Sequence, residues 1–270
     1  MNPLLKHRAK QVAAALGLHL RQETPRRSTL AQFCAHLKSL GYAPRTVIDV
    51  GVADGTMELH EAFPDAQFLL IEPLEEFWPA LEWLSSRYKA RVALVAAGAK
   101  DGTATILHGG SIEKMHGATL AEMDDPHERA ANTARDVPMR RLDGLVREFG
   151  LRGPILLKID VQGVELEVIK GAEEILSQVD VVIMEVVFFS FNRRQPLVDD
   201  VMKYMLARGF FPYDFFGGYN RPLDGALAQL DVAFVKRDGL FRRDQRHEDM
   251  SREPTWKQKA SIAARQLLRA

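Results

Sequence analysis

The sequence predicts an α/β fold: one Rossmann-like domain with a mainly parallel sheet, an antiparallel edge pair and an N-terminal helical extension. Three observations predict it. From residue 47 onward, short continuous apolar runs alternate with helix-length amphipathic stretches. That is the pattern of strands buried on both faces by crossover helices. Two of these runs, Thr46-Val-Ile-Asp-Val-Gly51 and Ile155-Leu-Leu-Lys-Ile-Asp160, lead into an acidic residue and a glycine turn. The last two runs, between Phe210 and Lys236, follow each other with no helix between them and read as an antiparallel pair.

Residues 3–20 place Leu5, Ala9, Val12, Leu16 and Leu20 on one helical face. A second helix is expected over Ser28–Leu40, with Ser28 as N-cap and Gly41 just past the end. Val47–Val50 and Phe68–Ile71 are the first two strands. Glu75–Tyr88 is a helix with Phe77, Leu81 and Leu84 inward, and Val92–Ala96 is the third strand. Thr103–Leu107 reads as a small hairpin partner. Residues 108–136 are polar and weakly periodic, an unusually long irregular stretch of the kind that forms lids or binding loops. Leu142–Phe149 is a short helix and Ile155–Ile159 a strand. Val164–Leu176 is a helix, Val181–Val187 an apolar strand broken only by Glu185, and Pro196–Arg208 a helix closed by Gly209. The expected division is a helical extension over 1–43, an α/β domain over 44–238 and a charged, peripheral tail over 239–270.

Composition narrows the class. An apolar fraction of 46% and a charged fraction of 27% are those of an ordinary globular protein. The single cysteine, Cys34, excludes an internal disulfide framework and fits a reducing cytoplasm; its apolar helical setting reads as packing. No apolar run approaches the ~20 residues of a membrane span, and the N-terminus does not read as a cleaved secretory signal. Net charge is zero but uneven. Residues 1–45 carry eight Lys/Arg against one Glu, and residues 236–270 carry ten against five acids. Such basic ends are solvated helical arms or weak contacts to an anionic membrane surface. No zinc-finger spacing, aromatic RNA-binding signature or basic recognition helix points to nucleic acid.

The chemistry concentrates at strand ends. Ligands of parallel α/β sheets sit beyond the carboxyl ends of the strands. Gly51 and Gly55 allow a tight turn and a close ligand approach. They lack the third glycine of the dinucleotide fingerprint, which disfavours an NAD-dependent enzyme, and no phosphate-binding loop is present. Glu72 ends the second strand about twenty residues later, where a carboxylate can accept both hydroxyls of a ribose. Asp49 and Glu72 without a phosphate cradle favour a nucleoside ligand such as S-adenosylmethionine. Asp160 closes a buried apolar run beside the same crevice. It is a candidate to bind an amino group, orient a hydroxyl, hold a metal or cap the next helix. Lys158 is expected on the opposite face, paired with Glu185 or another acid there, and Glu185 is itself within reach of the pocket. His108 and His116 lie on the long stretch, where either is a candidate general base. No cluster has the spacing of a structural metal site, so no residues are assigned to a metal.

These segments resemble the FkbM family of S-adenosylmethionine-dependent methyltransferases. Val47-Ile-Asp-Val-Gly51 through Gly55 resembles its first motif, Ile71-Glu-Pro73 its acidic second-strand end, and Ala96 to Gly102 its third-strand turn. Arg141-Leu-Asp-Gly-Leu145 resembles its short helix. Leu157-Lys-Ile-Asp-Val-Gln-Gly163, continuing through Glu165, Glu167, Lys170 and Gly171, is the most specific piece. Val182–Glu185 and Asp231-Val-Ala-Phe-Val-Lys236 also fit, so the likeness spans roughly 44–237. Three positions depart: Ala53 where Asn is usual, Gln162 for the commoner Glu, and Ala99 where Asp is frequent. The resemblance implies a cofactor over Gly51 and Gly55, with its ribose on Glu72. It places adenine near Ala97 and Gly98 and the sulfonium facing Asp160. It implies methyl transfer to a hydroxyl of a sugar, glycan, glycolipid or other small molecule, with Asp160 or His116 as base. The aromatic stretch Phe210–Tyr219 lines such a site or packs the core. The competing expectation is a non-catalytic scaffold of the same fold, docking through its basic ends.

Overall fold

The computed structural model describes residues 26–108, 119–120, 133–190 and 195–246. The helix expected over 3–20, His116 and most of the tail lie outside them. The strands are β1 (Thr46–Val50), β2 (Gln67–Ile71), β3 (Ala90–Ala93), β4 (Ala96–Ala97), β5 (Gly102–His108), β6 (Thr119–Leu120), β7 (Thr133–Arg140), β8 (Ile155–Ile159), β9 (Val179–Val187), β10 (Phe210–Asn220) and β11 (Leu227–Lys236). The helices are α1 (Leu30–Ser39), α2 (Met57–Ala62), α3 (Trp78–Arg87), α4 (Leu142–Glu148), α5 (Glu165–Lys170) and α6 (Val198–Ala207).

The main sheet runs β10-β11-β9-β8-β1-β2-β3. The five strands from β9 to β3 are parallel, and β11 is antiparallel to both its neighbours. Every residue of β1 and β8 is buried, because these are the central strands. Their side chains alternate between two cores. Ile48, Val50, Leu157, Ile159 and Met184 pack with Leu145 of α4, Ile169 of α5 and Met205 of α6. Val47, Phe68, Leu70, Leu156 and Ile183 pack with Phe33 of α1, Leu59 of α2 and Leu81 of α3. The chain leaves β1 towards β2 on one side and returns at β8 on the other. The order therefore reverses between β1 and β8, which opens a crevice at their carboxyl ends.

Several expectations are corrected. The third strand is Ala90–Ala93, and Ala96–Ala97 breaks away to join a second sheet of order β4-β7-β5-β6. Leu94 and Val95 make that turn. The stretch expected to be irregular over 108–136 holds a strand at its end. Residues from Thr133 form β7, which pairs antiparallel with β5 from His108↔Thr133 to Gly102↔Met139. Its pattern is hard to read because Val137 is the residue it buries. The helix expected over 164–176 stops at Lys170, and Gly171 after it packs so closely that a Cβ there would lie 2.1 Å from the Gly98 oxygen. Thr29, not Ser28, caps α1, with Thr29 Oγ1 accepting from the Gln32 amide at 3.2 Å while the Ser28 amide donates to Gln32 Oε1 at 2.8 Å. The two bonds make a near-reciprocal cap. No helix among the described residues is long and apolar enough to cross a membrane.

Candidate active site

The glycine turn after β1 is shaped by its neighbour strand. Gly51 has φ +80, and a Cβ on it would lie 1.9 Å from the Asp160 backbone oxygen. No other residue fits there without moving β8. Ala53 follows with φ 45, a left-handed conformation that Asn tolerates better than Ala. The turn aims the Ala53 amide at Glu72 Oε2, 3.0 Å away. Glu72 Oε1 accepts from the Leu74 amide at 3.0 Å, and the residue is 5% exposed. The two amides fix the orientation of its carboxylate.

Asp49 lies on the face of β1 that adjoins Lys158, its register partner on β8. It is fully buried, and neither carboxylate oxygen has a hydrogen bond of ordinary geometry. Burial pushes its carboxyl above the usual range, against the opposing pull of Lys158 and the Thr56 hydroxyl. Lys158 Nζ stands 3.5 Å from Asp49 Oδ1 and 3.0 Å from Asp160 Oδ2. Burial works against the Lys158 charge, but Asp49 and Asp160 outweigh it and raise its pKa. The expectation that Lys158 faces away from Asp160 is thereby corrected; of the acids open to it, it pairs with Asp49 and with Asp160 itself. Lys158 and Asp160 are two residues apart on one strand, so they share a face.

Asp160 ends β8, half-exposed, with its amide on the Val50 oxygen at 2.9 Å. Glu185 and Asp231 extend the same row across β9 and β11. Glu185 faces Asp231 directly, and Ile159↔Met184 sets Glu185 level with Asp160. Burial, then Asp160 and Asp231, push Glu185 up to about 7. Burial and Asp160 push Asp231 up to about 6. Glu165, 2% exposed at the start of α5, accepts from the Gly163 amide at 3.0 Å; burial still raises it to about 7. Asp231 was legible only as part of a resembling strand. The signal that picks it out is its odd place in an apolar alternation.

Beyond Glu72 lies a cavity of about 530 Å³, lined by Pro73, Glu76, Leu94, Arg135, Val137 and Pro138. Arg135 holds Glu76 in a two-pronged ion pair at 2.6 and 2.8 Å, which lowers the Glu76 pKa. The space thus opens at the β3–β4 turn, not at Ala97 and Gly98. Those two are spent on packing: Ala97 pairs with Arg140, and a Cβ on Gly98 would lie 2.5 Å from Met139 Sδ. His108 is buried at the end of β5, in the second sheet near Glu76, away from the Asp160 row. Among the described residues no His/Cys/Asp/Glu group has the arrangement of a metal site.

A reversing parallel sheet with a glycine turn on one central strand and acids on its neighbours is a Rossmann-like arrangement. The chain belongs to the methyltransferase FkbM domain family, whose model matches residues 49–212. It is a methyltransferase, and its methyl donor is S-adenosylmethionine. No curated protein matches its sequence. Among solved structures it is similar to a precorrin-6y C5,15-methyltransferase from Geobacter metallireducens (8% identity, 77% of this chain, 87% of that one, TM-score 0.39). It is also similar to fibrillarin from Aeropyrum pernix in complex with bound S-adenosylmethionine (15% identity, 82% and 74%, TM-score 0.40). An rRNA methylase from Streptococcus thermophilus scores similarly (15% identity, 76% and 94%, TM-score 0.39). These likenesses are distant, and the assignment rests on the family match. The residues present fit the donor: Glu72 is a buried carboxylate oriented by two amides, and neither oxygen of the buried Asp49 has a hydrogen bond of ordinary geometry.

Proposed function

We propose that this methyltransferase acts on a hydroxyl of a sugar, glycan or other small molecule. The row Asp160, Glu185 and Asp231, level with Gly51 at the strand ends, supports this reading most. A line of carboxylates accepts hydrogen bonds from a polyhydroxyl acceptor. It also offers the proton sink that a hydroxyl nucleophile needs and an already deprotonated one does not.

The Gly51–Gly55 turn and the Glu72 carboxylate hold the nucleoside, with Glu72 accepting from the ribose hydroxyls. The cavity beside Pro73 and Leu94 takes the adenine. Asp160, steadied by Lys158, orients the reacting groups. When bound, S-adenosylmethionine supplies a methyl group already activated on a sulfonium. The protein's work is therefore alignment and exclusion of water.

Calorimetric titration with S-adenosylhomocysteine tests the cofactor half. Micromolar binding is expected, and Glu72→Ala should lose it while keeping the native circular dichroism. Unchanged affinity in the folded variant would remove Glu72 from the site. For the acceptor half, labelled donor is incubated with panels of glycosides, phenols and amines. Methyl ethers are the expected products, and methylamines alone would overturn the hydroxyl assignment.

A further inference from the structure

Glu185 and Asp231 stand directly opposite each other on β9 and β11. Side chains so placed share a face, with Cβ atoms about 5 Å apart. Two carboxylates at that spacing repel unless one keeps a proton or a cation intervenes. The nearby cation is Lys158, but it lies against Asp160 and Asp49. Gln229, two residues before Asp231 on β11, donates from Nε2 to Glu185 Oε2 at 2.5 Å and fixes that carboxylate. Gly217 on β10 leaves room for the other: a Cβ there would lie 2.8 Å from Asp231 Oδ2. The charged groups facing the pair are Asp160 and Lys158 from β8, Asp49 from β1 and Glu165 from α5. On β10 the residue opposite Asp231 is Phe216, which carries no charge. The pair lies in the row that ends at the Gly51 turn, where Val50↔Ile159 and Ile159↔Met184 keep three strands in step.

We infer that the Glu185–Asp231 pair is the proton acceptor of the methyl transfer and that the cationic donor readies it for this role. The inference rests on the function proposed above. In the free protein the pair keeps a proton because it is buried and its charges are crowded. A sulfonium near the row relieves that crowding, and the pair ionises. As the acceptor oxygen bonds the methyl carbon and the C–S electrons stay on sulfur, the pair takes up the hydroxyl proton. The positive charge that held the pair ionised vanishes in the same event, so proton uptake and methyl departure reinforce each other.

Proton linkage tests this without an acceptor. Titrations of the full chain with S-adenosylmethionine and with S-adenosylhomocysteine at pH 7, in buffers of different ionisation enthalpy, report protons released per ligand bound. With a carboxyl near 7 lowered by one unit or more, the sulfonium ligand should release about 0.4 proton more than the thioether. Glu185→Gln and Asp231→Asn should each abolish the difference, whereas Glu165→Gln should keep it. Equal release by both ligands in the wild-type protein would overturn the pair. So would an undiminished difference in either folded variant. Failure to bind either ligand would instead overturn the cofactor reading beneath it.

Discussion

Ala53 shows how one residue carries information that its neighbours in sequence do not. From the sequence it is a missing polar contact. In the structure it is also a left-handed residue, φ 45, that points its amide at Glu72. A non-glycine residue there costs about 1–2 kcal/mol, and less for Asn, whose side chain bonds locally. Ala53→Asn should therefore raise stability by roughly 0.5–1 kcal/mol in urea unfolding, with donor affinity held or improved. A lowered midpoint would show that the turn is not strained. Gly51 is the opposite case. Gly51→Ala places a Cβ 1.9 Å from the Asp160 oxygen at φ +80, so β8 must shift. A loss of ~3 kcal/mol or more is expected, together with loss of donor binding. Near-wild-type stability would contradict the strand contact.

At the scale of elements, β1 and β8 are clamped by a buried charge. Lys158 bridges Asp49 on β1 and Asp160 at the end of β8. Lys158→Met removes the cation and leaves Asp49 buried beside it. Breaking a buried pair from one side costs about 3–5 kcal/mol, and removing both charges costs much less. The double variant Asp49→Asn/Lys158→Met should thus recover more than half of the single variant's loss in a double-mutant cycle. Additive losses would mean that the two groups are not coupled. On the outer strands, α1 is held over β10 by Phe33, whose ring stacks on Phe216 at 5.0 Å. Phe33→Ala should cost about 3–5 kcal/mol in unfolding, although its helix is written outside the repeating strand–helix units. A loss under about 1 kcal/mol would show that α1 is peripheral. The periodicity of α1 was legible, but its partner was not, because β10 lies about 180 residues away in sequence.

For the whole molecule, the acid row sets the pH dependence. Glu185 and Glu165 titrate near 7 and Asp231 near 6 in the fold, all above their ordinary values. A raised carboxyl favours the protonated folded state, so its stabilising contribution is full below about pH 4 and lost as pH rises through 6–7. His60, fully buried between Phe68 and Tyr88, works at the other end. Burial lowers its pKa to about 4, so stability falls as pH drops from 6.5 towards 4. The melting temperature of the unliganded protein should therefore be highest at mildly acidic pH and decline between pH 5.5 and 8. Glu185→Gln should flatten that decline; a parallel decline in both proteins would clear Glu185 of the effect. By itself the sequence determined the α/β class, the parallel core, the glycine turn, and Glu72 and Asp160 at strand ends. These are set by local periodicity and by glycine, which act over a few residues. Only the tertiary structure decided that Leu94, not Ala97, borders the cavity, that Lys158 bridges two strand ends, and that Glu185 meets Asp231. Each of those depends on register between strands far apart in the chain, and a one-residue slip would send every such side chain to the other face.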